Sequence, residues 1–238
     1  MGDFFAALFA KQREEDPEGF GYVRAWHSPY YRARETTGYL LQRFLRYFDD
    51  PSSFVSYQEE DFLFEQKGGY LDGLSKEEIE RLFPMAAKDH KKHCQSNAKS
   101  YSMCINGESP MQTAIRVRQF FPTILRDYNE RNIRHVIVVC HGVTLRAFLM
   151  AWMRYSPEVM DAEKTPGNCW VRHIEGSSLT GYLDHGYIYG DGAPLNDLSA
   201  TQRQLENAKD IFMLKPQRPN AIIPKGVKCF DPFAREEP

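Results

Sequence analysis

The 238-residue chain has few cysteines, no surplus of positive charge and no long apolar run, and each shortage removes a class of function. Its five cysteines, Cys94, Cys104, Cys140, Cys169 and Cys229, are odd in number, scattered and without Cys-x-x-Cys spacing. A disulfide scaffold or a thiolate metal site needs closer, paired cysteines, so free thiols in a reducing cytoplasm are expected. The formal net charge is −2 and the sequence pI is near 6.4. A nucleic-acid or anionic-membrane binder would carry a basic excess instead. No stretch approaches the roughly 18 apolar residues of a membrane span. Met1-Gly2-Asp3 also lacks the basic region that opens a secretory signal. The expectation is a cytoplasmic protein with neither a nucleic-acid nor a membrane partner; a local cationic pocket for a phosphorylated substrate stays open, because net charge says nothing about clustering.

Hydrophobic residues at 42% and charged residues at 26% are enough for a sizeable core. Asp3 reads as the cap of a first helix carrying Phe4, Phe5, Leu8 and Phe9, with the charged stretch 11–16 behind it. Tyr22 to Trp26 reads as a short strand, and 33–48 as a helix with Leu40, Leu41, Phe44, Leu45 and Phe48 on one face. Phe54 to Gln58 reads as a second strand. Ser75 and Glu78 form a capping box for a helix over 76–83, stopped by Pro84. The stretch 59–73 reads as irregular, and residues 66–107 form a polar insert whose part over 88–106 is polar and mixed. Ser109-Pro110 opens a helix reaching about Tyr128, with a kink at Pro122. The apolar, β-branched run at 135–140 has the pattern of a strand buried on both faces. A helix follows it, closed by Ser156-Pro157. Two later strands, 169–174 and 179–189, are joined through Glu175-Gly176-Ser177. Strands alternating with helices predict an α/β layered sheet. The expected organisation is one α/β domain over 1–205 and a C-terminal extension over 206–238.

Two strand-to-helix junctions carry the chemistry. His141-Gly142 follows the 135–140 strand, which places His141 at the carboxyl edge of a sheet, where α/β folds hold ligands. The amides of Val143 and Thr144 open the next helix, and free N–H groups there favour a phosphate. Arg32 stands at the other junction, early in its helix, with a guanidinium fork suited to phosphoryl oxygens. A weaker cluster, Asp89, His90, His93 and Cys94 with Cys104 nearby, has zinc-ligand residue types but no close thiolate pair. A solvated polar lobe is the expected reading there, and likewise for Lys88, Lys91 and Lys92.

Together these segments resemble the histidine phosphatase (phosphoglycerate mutase-like) superfamily. Ser28-Pro29-Tyr30-Tyr31-Arg32-Ala33 with Thr36-Thr37 is similar to its second-arginine motif, and Val138-Val139-Cys140-His141-Gly142-Val143-Thr144-Leu145-Arg146 to its second-histidine motif. Phe64 to Tyr70 resembles the segment holding the proton-donor glutamate, here Glu65. Asn106-Gly107-Glu108-Ser109 resembles the turn before a long helix, and Pro166-Gly167-Asn168-Cys169 the approach to a late strand. The five stand in the family's order between about Gly2 and Tyr189. The resemblance implies a three-layer α/β/α fold around a mostly parallel mixed sheet. It implies a phosphatase or mutase acting on a small phosphorylated substrate through a phosphohistidine, with no metal or other cofactor. Arg32, His141, Gly142 and Val143 would hold the phosphoryl group, His141 supplying positive charge, and Glu65 would protonate the leaving oxygen.

The family's nucleophilic histidine sits in an Arg-His-Gly motif ending a central first strand, and the 238 residues contain no Arg-His-Gly. Arg134-His135 and Arg172-His173 are each followed by a β-branched residue and lie in later strands. His27, at the end of the first recognisable strand, is the nearest substitute but has no glycine turn after it. The expectation is a fragment lacking the first strand and catalytic loop, with little turnover, or a relative that binds a phosphorylated ligand without catalysis.

Overall fold

A computed structural model describes residues 1–48, 51–96, 98–163, 165–177 and 180–190. It divides into two units, Met1–Gly167 and Asn168–Pro238. The expected extension over 206–238 lies outside the described residues.

In the first unit, helix α1 (Gly2–Glu15) precedes strand β1 (Tyr22–His27) and helix α2 (Tyr31–Tyr47). Asp3 is not the cap of α1 as expected. Met1 holds that position, and the Asp3 carboxylate instead receives both ends of the Arg43 fork, at 3.0 and 2.7 Å. The charged stretch does not end α1 either, because its residues form the exposed side of the last turns. Gly2 lets α1 approach α2 closely, since a Cβ there would lie 2.5 Å from the Leu40 carbonyl oxygen.

Strand β2 (Phe54–Glu59) is followed by α3 (Lys76–Leu82), whose Ser75–Glu78 capping box forms in both directions. Pro84 stops α3 but also opens α4 (Pro84–Gln95), so the polar lobe from 88 begins inside a helix that the sequence reading did not foresee. Proline fits the first helical position because no N–H is needed there. Next come α5 (Pro110–Val117) and α6 (Phe121–Arg131), separated by a 3-10 turn at Arg118–Phe120 just before Pro122. Strand β3 (Ile133–Val139), α7 (Gly142–Met153) and α8 (Pro157–Ala162) complete the unit.

The three strands form one parallel sheet in the order β2-β1-β3. Alternation along the strands divides the core in two. One face carries Val23, Ala25, His135 and Ile137; there the His135 ring meets Phe9 at 4.9 Å and Phe20 at 4.3 Å. The same aromatic group extends through Phe44 and Phe48 of the α2 side. The opposite face carries Trp26, Val136 and Val138, covered by Leu63, Phe120, Ile124 and Phe148. The result is the layered α/β sheet that the alternating pattern predicts, in keeping with the fold that the resemblance implies.

Arg24 also points to this second face, where Asp127 of α6 accepts from it at 2.6 Å, from the Trp26 indole at 3.3 Å and from Arg131 at 3.2 Å. Asp127 is wholly buried and Arg24 only 4% exposed. A charge this deep persists only when paired and hydrogen-bonded.

One expectation for β3 fails. Its apolar run reads as buried on both faces, yet only Ile133 and Ile137 are buried. Among the described residues β3 pairs with β1 alone, which leaves it at the end of the sheet.

The described part of the second unit is an antiparallel pair, β4 (Val171–Ser177) and β5 (Gly181–Tyr189), in a sheet of its own. Glu175 to Ser177 belongs to β4 and is not the connection the sequence suggests. No helix among the described residues is long and apolar enough to cross a membrane.

Candidate active site

The connection after β1 runs outward to β2, and the one after β2 returns past β1 to β3. Such a switch opens a crevice beyond the carboxyl ends of the strands. Ser28 follows β1 there, and His141 follows β3, with the Ser28 amide bonded to the Val139 carbonyl at 2.9 Å. Ser28 and His141 are both buried. His141 Nε2 lies 2.7 Å from Ser28 Oγ, and Arg32 Nε donates to His141 Nδ1 at 3.1 Å. A ring nitrogen that accepts carries no proton, so Nε2 holds the hydrogen and donates it to Ser28. Tyr30 lies beside both groups, with its ring 4.9 Å from the Arg32 guanidinium carbon and 5.2 Å from the imidazole.

The sequence therefore brings Arg32 and His141 together as expected. The charge expected of His141 is not present in this state. Burial pushes its pKa from 6.5 down to about 4; Glu65 opposes the shift, while Arg32 and Arg116 reinforce it. Near neutral pH the ring is uncharged. The terminal amino groups of Arg32 have no hydrogen-bond partner among the described residues, and the side chain is exposed.

Glu65 reaches the same crevice from a loop after a short 3-10 turn at Asp61–Leu63. Its carboxylate accepts from the amides of Val143 at 3.4 Å and Thr144 at 3.1 Å, the Thr144 hydroxyl at 3.1 Å and the Gln66 amide at 2.9 Å. The helix-opening amides that the sequence reading reserves for phosphate are thus already occupied, by a negative charge of the chain itself. The physical preference is the same in both cases: the positive end of a helix attracts an anion. Gly142 begins α7 beside them, and a Cβ there would lie 3.1 Å from a Thr165 methyl.

Four participants escape the sequence reading. The hydroxyls of Ser28 and Thr144 lie inside the two motifs but attract no notice as hydrogen-bonding partners. Arg116 on α5 and Glu108 form a fork at 2.9 and 3.0 Å. The only sequence signal for that pair is a carboxylate and an arginine two helical turns apart.

The other candidates lie elsewhere. The His27 ring is buried, bonded through Nδ1 to the Ser28 carbonyl at 2.9 Å, and lines a groove of about 680 Å³ between α2 and β2 with Arg34, Tyr57 and Glu59. His90 contacts the Ser102 hydroxyl at 3.0 Å and the Cys94 sulfur at 3.5 Å, and His93 pairs with Asp89. Among the described residues no three ligand-type side chains gather as a metal site. Lys88, Lys91 and Lys92 are exposed on α4.

A parallel α/β sheet with an arginine–histidine pair and a carboxylate at its switch point defines a phosphoglycerate mutase-like α/β protein. Residues 6–184 match the histidine phosphatase superfamily (branch 1), and the chain belongs to that superfamily. A phosphoglycerate mutase-like protein of Arabidopsis thaliana is 32% identical over 76 residues. That match spans 29% of this chain and 24% of the relative, so the chain covers about a quarter of the relative's length. Among solved structures, mycobacterial glucosyl-3-phosphoglycerate phosphatase is similar with a TM-score of 0.57 and 17% identity, over 78% of this chain and 82% of that one. Bacillus stearothermophilus YhfR gives 0.53 and 19%, over 80% and 83%. At these identities the likeness is one of fold.

Proposed function

We propose that the crevice is the phosphoryl site of a phosphatase acting on small phosphorylated metabolites. The observation that carries this reading is the contact of Arg32 with His141 at the switch point, with Glu65 on the first turn of α7 beside them. Arg32 offers its free amino groups to phosphoryl oxygens, and His141 becomes cationic when an anion settles beside it. Glu65, entering the step with a proton bound, gives it to the leaving oxygen as the phosphorus–oxygen bond breaks, while the nitrogen of the family's Arg-His-Gly histidine, which these 238 residues do not contain, forms a bond to phosphorus. Water then releases phosphate from that phosphohistidine. The similarity to a phosphatase of a phosphorylated sugar acid supports the substrate class.

A second reading is favoured by one observation: no Arg-His-Gly occurs in the 238 residues. In that reading the site binds a phosphorylated ligand without turning it over.

Both readings require saturable binding of phosphate or vanadate by this chain, weakened at least about tenfold, or ~1.4 kcal/mol, by Arg32→Ala. A folded chain that binds neither anion would refute both. An assay with p-nitrophenyl phosphate separates further cases. The 238 residues alone should give no turnover. Measurable turnover with an acid-labile phosphohistidine would instead assign a nucleophile within them, His27 being the first to examine.

A further inference from the structure

The crevice contains a cation that the proposed reaction leaves unused. Arg116 is nearly buried, and four of its five N–H donors are engaged. Nε and Nη2 fork onto Glu108 at 2.9 and 3.0 Å, while Nη1 donates to the carbonyls of Phe62 at 2.6 Å and Phe64 at 3.1 Å. Its plane also lies over the Phe64 ring, 3.5 Å from the centroid. One Nη2 hydrogen is left. The two carbonyls belong to the segment immediately ahead of Glu65.

Glu108 holds the segment immediately behind it. Its carboxylate accepts from the Lys67 amide at 3.2 Å, its carbonyl from the Gln66 side chain at 2.6 Å, and its amide donates to the Lys67 carbonyl at 2.8 Å. Burial raises the Glu108 pKa, but the Arg116 fork and the Lys67 amide outweigh it and set the carboxyl below its ordinary value. Gly107 makes the approach possible, since a Cβ there would lie 2.3 Å from the Lys67 carbonyl oxygen. Residues 64–68 belong to no helix or strand. An irregular loop keeps one geometry only where other groups satisfy its backbone.

We infer that Arg116, anchored by Glu108, is a positioning residue that holds Glu65 on the first turn of α7. Only the role of Glu65 as proton donor rests on the proposed function; its placement on the α7 amides does not. Lysine cannot replace Arg116, because a single ammonium cannot fork onto a carboxylate and bridge two carbonyls at once.

The test reads the Val143 and Thr144 amide resonances in the ¹⁵N-labelled full chain. Glu65→Ala defines their positions when the carboxylate is gone. Arg116→Lys should move both most of the way toward those positions. Glu108→Gln, which is milder and keeps the arginine, should move them part of the way. In a Glu65→Ala background either change should add nothing. If both variants fold and leave the two amides at their wild-type positions, the inference is overturned. The same holds if they move them equally in the Glu65→Ala background, since the effect would then not pass through Glu65. Should Arg116→Lys fail to fold, Glu108→Gln decides alone. A phosphate titration of the wild type is run separately: absence of binding would remove the proposed function and leave the amide result standing.

Discussion

Arg32 donates through Nε to Nδ1 of His141, so the residue expected to bind anions is bonded to the residue expected to supply charge beside it. The contact requires a neutral ring, and protonating His141 would set two cations against each other. An arriving anion resolves that conflict by taking the Arg32 donors and stabilising the imidazolium.

Anion binding should therefore take up a proton. Burial holds the His141 pKa down to about 4 against 6.5 ordinarily, with Glu65, Arg32 and Arg116 as the charges facing it. A bound anion raises that value, and by linkage the proton raises anion affinity. Sulfate, which does not titrate in this range, should bind more tightly as pH falls from about 6.5 toward 4. The Glu65→Gln background isolates the imidazole contribution, and His141→Gln should abolish it. Affinity independent of pH in Glu65→Gln would refute the coupling. The same depressed pKa affects stability. Between 4 and 6.5 the unfolded chain binds more protons at His141 than the folded one, so this contribution falls as pH falls through that window.

Glu65 places a negative charge on the donors nearest the phosphoryl position. Removing it should strengthen binding of phosphate by about tenfold, or ~1.4 kcal/mol, a size reasonable for two charges several ångströms apart in a half-wet site. Isothermal titration of Glu65→Gln against the wild type measures this. Weaker binding in the variant would mean that Glu65 organises the anion site and does not compete with it.

Asp127 should matter for stability and not for ligand. Three donors converge on its buried carboxylate. Asp127→Asn removes the charge opposite Arg24 and should cost roughly 3 kcal/mol in urea denaturation. Phosphate affinity of the folded variant should be unchanged. A loss of affinity in variant that is still fully folded would tie the pair to the crevice.

Much of this was legible in the chain. Periodicity located β1, β2, β3, α2 and α7 to within a few residues, because strands and amphipathic helices record their burial in alternation. The junctions at Ser28 and His141 were legible because a strand followed by a breaker and a helix start leaves a local mark. Helix α4 was missed because its polar sequence buries no residue and so carries no apolar stripe. The Asp3 cap was wrong because a partner 40 residues away, Arg43, offered two charge-assisted hydrogen bonds in place of one capping bond.

The sequence by itself determined most of the elements, the layered α/β class and which residue types stand at the two junctions, all set by local pattern. Tertiary structure decided that His141 is neutral, because burial and two arginines from distant segments surround it. It also decided that Glu65, not an external anion, satisfies the start of α7. Those outcomes depend on distances between residues as much as 109 positions apart, such as Arg32 and His141. Charge and hydrogen bonding act through space, and only the folded chain sets that separation.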